Sequence, residues 1–139
     1  MTAFSLSGLL ILLTEFPVGL IVLFKQPSRP LNRSYAFFCS VAVSIWGACC
    51  VLIGLGISRE LAVVVWRIAL VGVTLIPTAL YRFTYYFCGL RKPRVLRATT
   101  IFAVFFVLIS GLDGLLIKDV RYVFDTFYYA VPGPLCVPF

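Results

Sequence analysis

The sequence from Glu60 to Leu90 is one long apolar run that contains Arg67, Arg82 and Pro77. An apolar run of about 18 residues or more is long enough to cross a bilayer as a helix, so this stretch predicts a membrane-spanning helix. Because a charge inside a membrane span is costly, we expect Arg67 to face a partner or a polar cavity. Arg82 lies nearer the end of the run, where a long side chain can reach the lipid headgroups.

Composition extends this prediction to the whole chain. Apolar residues make up 62% of the sequence and charged residues 12%, whereas about 25% of the residues of a soluble domain are charged. The net charge of +7 would suggest nucleic acid for a soluble protein. Here the basic residues lie between apolar runs. We therefore expect contact with a lipid bilayer that includes anionic lipids, and no nucleic-acid partner.

Four apolar runs predict four transmembrane helices, at about residues 7–24, 34–57, 60–89 and 95–117. The first run lacks a preceding basic segment and a cleavage site, so we expect a retained span rather than a signal peptide. The predicted fold class is all-α: one multi-pass transmembrane domain, residues 1–139, with the helices in an antiparallel up-down bundle. Residues 118–139 are rich in aromatic side chains and prolines, which predicts a periplasmic aromatic tail at the interface.

Two basic loops set the expected orientation. Their cationic residues are Lys25, Arg29 and Arg33 in the first loop, and Arg91, Lys92, Arg94 and Arg97 in the second. Cytoplasmic loops carry an excess of lysine and arginine, so both loops are predicted to be cytoplasmic and to face lipid headgroups. The sequence thus predicts a bacterial inner-membrane protein with both termini in the periplasm.

Three charged residues fall inside the predicted spans at similar depth. Glu15 lies in the first span, Arg67 in the third and Asp113 near the end of the fourth. An ion pair of Arg67 with either acid is plausible, because the unpaired charges are costly in hydrocarbon. Three interpretations remain open: a structural pair that fixes helix packing, a site for a ligand or a proton, or charges that face lipid or reach the headgroups.

Prolines and small residues bear on how the helices pack. Pro17 and Pro77 predict helix kinks that face protein, because a carbonyl freed by proline is costly in hydrocarbon. The second run contains small residues that let other helices approach closely, namely Ala42, Ser44, Gly47, Ala48 and Gly54.

Nothing in the sequence supports catalysis. It contains five cysteines and no histidine, without a CxxC pair, so we expect no metal site and no cofactor. Cysteines inside apolar runs behave as small hydrophobic residues. No nucleophile–base set or phosphate-binding loop is present, so no catalytic residue is assigned and the chain is not expected to be an enzyme.

The segment from Leu31 to Leu90 carries a distinctive arrangement. A basic loop leads into a helix rich in small residues, with Trp46 at its centre. A short turn and a second span follow, and that span contains Trp66, Arg67, Gly72 and Pro77. This arrangement resembles the N-terminal seven-transmembrane sensor region of bacterial histidine kinases. In that family the next helix would begin near Gly133 and Pro134, so the chain corresponds to the first four helices.

The resemblance implies a sensory or input transmembrane module without catalytic output in this chain. A phospho-accepting histidine is impossible here because the sequence contains none. Expected partners are other membrane protein subunits or the missing helices of the same receptor. The alternative is a small accessory or structural subunit of a larger bacterial membrane complex, either respiratory or photosynthetic.

Overall fold

Four long helices make up most of the chain. The computed structural model describes residues 2–25, 28–90, 93–112, 114–123 and 126–135. Four helices in it are long and apolar enough to cross a membrane, and they run over Ala3–Lys25, Pro30–Gly54, Arg59–Phe87 and Pro93–Ser110. The predictions of a mostly helical chain and of four such helices are confirmed.

The second of these helices is composite. In chain order the elements are α1 (Ala3–Lys25), α2 (Pro30–Phe37), a π-helical segment (Phe38–Val43), α3 (Ser44–Gly54), α4 (Arg59–Phe87) and α5 (Pro93–Ser110). A π-helix pairs residues five apart and commonly occurs as a single wide turn inside an α-helix. The Ser44 hydroxyl follows this spacing, because it donates to the carbonyl of Cys39 at 2.8 Å.

Local sequence explains where the helices begin. Proline is tolerated in the first turn of a helix, where its missing N–H has no intrahelical partner. Pro30 and Pro93 occupy that position in α2 and α5. Ser58 caps α4, since its side-chain oxygen accepts a hydrogen bond from the Leu61 N–H at 3.4 Å. The prediction that helix four extends to Ile117 is wrong, because α5 ends at Ser110.

Glycines bring α1 and α3 into close contact. A Cβ atom added at Gly8 would lie 2.6 Å from the carbonyl oxygen of Gly47, and one at Gly54 would lie 2.5 Å from the Cβ of Ser5. The Thr2 hydroxyl also donates to the Gly54 carbonyl at 3.3 Å. The predicted close approach at Gly47 and Gly54 is therefore confirmed.

Helix α4 is the central element. It contacts α2, the π-helical segment and α3 on one side and α5 on the other. At Gly72 an added Cβ would lie 3.1 Å from the carbonyl oxygen of Ala42, so the two backbones meet closely there as well. The side chains of Val65, Trp66 and Ala69 are buried on its inner face.

A β-hairpin that the sequence pattern did not predict follows the helices. Strands β1 (Ile117–Val123) and β2 (Phe127–Pro132) pair antiparallel, with Val120 opposite Ala130. Ile117 and Val120 are each 4% exposed and join the core formed by α3 and α4. The sequence predicted an aromatic tail here and assigned no strands to it, but its β-branched residues fit half-buried strands that pack against the helix ends. The location of this tail at the membrane interface stays a prediction.

The two internal prolines face away from the other described elements of the chain, so the predicted packing against protein is not found within the described residues. Pro17 and Pro77 lie inside α1 and α4, each of which continues as one helix past its proline, and both prolines are exposed. Each lies two positions before a buried small residue, Gly19 and Ala79 respectively. Two positions correspond to a rotation of about 200° in an α-helix, so each proline lies opposite the packed face. The kinks themselves stay a prediction.

Candidate functional site

An aromatic cluster lies where the hairpin covers the helix ends. We define it by five side chains from three helices and β2, namely Phe4, Trp46, Trp66, Phe127 and Tyr129. The chain has only two tryptophans, and both are in this cluster. Aromatic rings bury large areas and favour tilted or edge-to-face contacts, so the cluster is a strong link between the hairpin and the helices.

Trp66 of α4 is at the centre of the aromatic cluster. Its ring meets Trp46 at 6.1 Å between centroids and Tyr129 at 5.4 Å, both edge-to-face. Its indole N–H donates to the backbone carbonyl of Tyr128 at 2.8 Å. Because the side chain is only 6% exposed, that hydrogen bond satisfies a donor that would otherwise be costly to bury.

Phe4 ties the start of α1 to the hairpin. Its ring stacks on Phe127 with centroids 4.9 Å apart and an interplanar angle of 2°. It also lies 6.4 Å from the Trp66 ring. The first and third spans and the hairpin therefore share one set of ring contacts, and movement of the hairpin would disturb both helices.

An ion pair holds the other side of the hairpin to α4. Arg59, the first residue of α4, donates through Nε and a terminal nitrogen to the two carboxylate oxygens of Asp119. This bidentate geometry is the stronger form of such a pair. The Arg59 guanidinium holds the pKa of the Asp119 carboxyl below its ordinary value, and the Val120 N–H acts in the same direction. The carboxylate therefore remains charged to lower pH than a free one.

A cavity opens between α4 and the hairpin; we call it the hairpin cavity. Its volume is about 250 Å³. The lining residues are Trp66, Leu70, Leu116, Ile117, Tyr129, Ala130 and Pro132. None of these described lining residues carries a charge, and aromatic rings stand on both the helix and the strand side. Such a lining suits a small, apolar and planar molecule.

The sequence pattern identified only one wall of the hairpin cavity. Trp66 and Trp46 stood out as marking residues of their spans, but Tyr129 and Ala130 did not. Their role depends on the strand pairing that folds residues 127–132 back over α4. The available signal was the pair of β-rich runs, KDVRYV and FYYAV, separated by the three residues Phe124, Asp125 and Thr126, of which Asp is a type favoured in turns.

Glu15 lies at the contact between α1 and the second span. The Cys39 thiol and the Tyr35 hydroxyl lie near enough to its carboxyl to interact with it electrostatically. Nearby, the Ser40 hydroxyl donates to the Phe16 carbonyl at 3.3 Å. The described surroundings of Glu15 thus come from the second span, and its pairing with Arg67 stays a prediction.

Arg67 lies on the side of α4 that meets α5. It is half-buried and lines a cavity of about 160 Å³ together with Val107, Ser110 and Gly111. Asp113, the second acid predicted to pair with it, lies outside the described residues. Ser110 and Gly111 are three and two residues before Asp113 in the sequence, so Arg67 lies beside the chain segment that leads to this acid.

The predicted basic surface lies at the end of the helices away from the hairpin. Its described members are all exposed: Lys25, Arg29, Arg33, Arg94 and Arg97. Arg91 and Lys92 lie outside the described residues. Arg82, which lines two cavities at this end, was considered in the sequence only as a side chain that reaches the headgroups.

Cysteines pack as small side chains within the helices. Cys39, Cys49 and Cys50 are buried free thiols, and Cys88 is an exposed one. Cys136 lies outside the described residues. Across residues 2–135, apart from the undescribed gaps, no group of three or more potential His, Cys, Asp or Glu ligands is close enough to hold a metal.

Comparison with protein-family models, curated proteins and solved structures finds no match to this chain. Its function must therefore be inferred from the residues and geometry described above.

Proposed function

We propose that the four long helices cross the bacterial inner membrane as an antiparallel up-down bundle. Three contacts support this arrangement. Thr2 meets Gly54, Arg59 meets Asp119, and the hairpin covers the same end. The basic surface lies at the other end, so the positive-inside rule puts the hairpin and both termini in the periplasm.

A cysteine introduced at Ser28 or at Thr126 tests the orientation. Both positions are exposed, one in the first basic loop and one in the hairpin turn. In a Cys88→Ser, Cys136→Ser background, a membrane-impermeant maleimide added to intact cells should label the Thr126→Cys chain and spare the Ser28→Cys chain. The opposite labelling pattern would contradict the proposed orientation.

We further propose that the chain is a sensory or input module and that the hairpin cavity receives its ligand. The observation that carries this proposal is that two separate elements form the walls of the cavity. Trp66 and Leu70 belong to α4, whereas Tyr129 and Pro132 belong to the hairpin. A ligand shifts a conformational equilibrium only by its differential affinity for the two states. A molecule bound between α4 and the hairpin would bind the two states with different affinities, because its contacts depend on the relative position of these elements.

The lining defines the ligand class as small, apolar and planar. A cavity of about 250 Å³ is close to the lower end of the range for small-molecule sites, which begins at about 300 Å³. The indole N–H of Trp66 is already engaged by Tyr128. Recognition would then come from ring contacts with Trp66 and Tyr129, and polar ligands would gain little.

Tryptophan fluorescence provides the test. In a Trp46→Phe chain, Trp66 is the one remaining tryptophan and lines the hairpin cavity. Menadione, a small planar naphthoquinone, should quench this fluorescence in a saturable manner after correction for absorbance. Tyr129→Ala removes an aromatic wall and should weaken the apparent affinity about tenfold, the loss expected for about 1.4 kcal/mol of ring contact.

Tyr122→Ala is the matched control. Tyr122 is on β1 and packs against Tyr128, but it does not line the hairpin cavity. Its replacement should leave the apparent affinity within about twofold, a difference of about 0.4 kcal/mol. Linear, non-saturating quenching in every variant would mean that menadione only partitions into the micelle, and the assigned ligand site would be rejected.

The resemblance to histidine kinase sensor regions supports an input role. Since the chain contains no histidine, phosphotransfer by a histidine must lie in another polypeptide segment or another protein. In this proposal the hairpin cavity detects the ligand, and further membrane helices or subunits carry the response.

An accessory-subunit role is the second candidate, and the exposure of α5 favours it. In the described fold α5 packs chiefly against α4, and it buries Ala103 and Ser110. Its outward side chains Phe102, Phe105 and Leu108 are more than half exposed. Lipid or a partner helix can cover this face. A stoichiometric partner that remains bound in mild detergent, and that shields α5 from a lipid-soluble label, would favour the subunit role.

A further inference from the structure

Two cavities at the basic end share one side chain, Arg82. The first has a volume of about 280 Å³ and lies between α2 and α4. The second has a volume of about 350 Å³ and lies between α4 and α5. Since Arg82 lines both cavities, its side chain is common to the two sites.

Each cavity adds a second arginine. Arg33 lines the first, with Ser34 and Tyr86 as further polar groups. Arg97 lines the second, with Thr100. Arginine presents planar, fork-like donors that match phosphate oxygens, and it remains charged at any physiological pH. Each cavity is therefore lined by two arginines, and the first also by Tyr86, whereas the Ser34 and Thr100 hydroxyls already donate to backbone carbonyls of their own helices.

Among the described residues, Arg33, Arg82 and Arg97 form no salt bridge, and the sequence around them contains few acids. Glu15 and Glu60 are separated by a segment without Asp or Glu, and so are Glu60 and Asp113. The helices α2 and α5 both begin at this end, at Pro30 and Pro93, where the helix dipole adds partial positive charge. The local charge is therefore complementary to an anion.

The same cavities have apolar walls. Phe37 lines the first, and Leu96 and Ile101 line the second. Ile101 is also 68% exposed on the outer side of α5, so the apolar surface continues out of the cavity along the helix. An inorganic anion would gain no binding energy from such a surface, whereas the acyl chains of a lipid would pack against it.

We propose that the two cavities together bind the headgroup of a phospholipid with two phosphates, of the cardiolipin type. One phosphate lies between Arg82 and Arg33, and the other between Arg82 and Arg97. The acyl chains follow the apolar surface of α5. This inference rests on the proposed membrane insertion and is independent of a ligand in the hairpin cavity.

Thermal unfolding of the full chain in dodecyl maltoside micelles tests the assignment. Tetraoleoyl cardiolipin should raise the Tm with a half-effect concentration at least tenfold below that of dioleoyl phosphatidylglycerol at equal phosphate. Dioleoyl phosphatidylcholine and inorganic phosphate should leave the Tm unchanged. Arg82→Gln should weaken the cardiolipin effect at least tenfold.

Arg94→Gln is the matched control. It removes one positive charge, as Arg82→Gln does, but Arg94 is in the first turn of α5 and does not line either cavity. It should keep the half-effect concentration within twofold. Arg97→Gln should weaken the cardiolipin effect as well, and it carries the test if circular dichroism shows that Arg82→Gln does not fold.

Three results would overturn the proposal. Equal losses in Arg94→Gln and Arg82→Gln would show attraction to general surface charge. An equal effect of phosphatidylglycerol would show that one phosphate suffices, and an effect of inorganic phosphate would show an anion site without lipid. In each case a folded, helical chain in micelles would leave the proposed membrane insertion standing.

Discussion

Arg67→Ala is expected to lower the free energy of unfolding by about 3–5 kcal/mol, as breaking a buried ion pair does. Arg67 is half-buried between α4 and α5, beside Ser110 and Gly111. In the predicted pair with Glu15 or Asp113, the carboxylate that loses its cation would be costly to keep charged in hydrocarbon and would take up a proton. The measurement is equilibrium unfolding by sodium dodecyl sulfate in mixed micelles, followed by circular dichroism.

A double-mutant cycle identifies the acid. Ser110 and Gly111 lead directly to Asp113, whereas Glu15 faces Cys39 and Tyr35 on the second span. We therefore expect Arg67→Ala and Asp113→Asn to be non-additive, with an interaction of about 2 kcal/mol. Arg67→Ala and Glu15→Gln should be additive. Additivity in both cycles would leave no structural pair and would favour the alternative interpretation, a site open to a polar ligand or a proton.

Gly8→Val should be the other severe substitution, with a loss of about 3 kcal/mol in the free energy of unfolding. A Cβ at Gly8 would lie 2.6 Å from both the Gly47 carbonyl oxygen and the Cys50 Cβ. The closest obstacle includes backbone, which no side-chain rotation can remove. α1 and α3 must therefore separate, and the packing of Phe4 against Phe127 should loosen with them.

Ser7→Val controls for the effect of a β-branched residue in α1. Ser7 is the exposed neighbour of Gly8 and makes only a local hydrogen bond, to the Phe4 carbonyl at 2.8 Å. Its replacement should cost less than about 1 kcal/mol. Equal losses in the two variants would show that helix propensity, rather than the contact of α1 with α3, determines the result.

The sequence predicts the helices well because each span has a strong, continuous signal. Apolar runs longer than the usual helix of a soluble protein are compatible with few structures other than a membrane-spanning helix. Basic or proline-containing loops separate most of these runs. The ends are less well determined. α1 begins at Ala3 rather than near Ser7, and α5 ends at Ser110 rather than near Ile117. A hydropathy signal reports how apolar a segment is, and it continues across Leu115, Leu116 and Ile117 after the helix has ended.

The hairpin and its cavity could not be derived in the same way. A strand gains stability from its cross-strand neighbours and from burial, which are contacts between residues distant in sequence. Ile117 and Val120 become strand residues because Val65 and Trp66 offer an apolar surface at the right place. The sequence pattern singles out Trp66, but not the tyrosine and proline that face it across the cavity.

The π-helical segment has a consequence for the phase of the second span. A wide turn contains about one residue more than an α-helical turn, and each residue of an α-helix advances about 100°. Helical-wheel positions counted in α2 therefore lose their meaning in α3. A heptad count that starts in Pro30–Phe37 therefore reaches α3 displaced by about one position, and it does not predict that Gly47 and Gly54 pack on α1. Cysteine pairs designed to cross-link α1 to this span need a separate numbering on each side of Phe38–Val43.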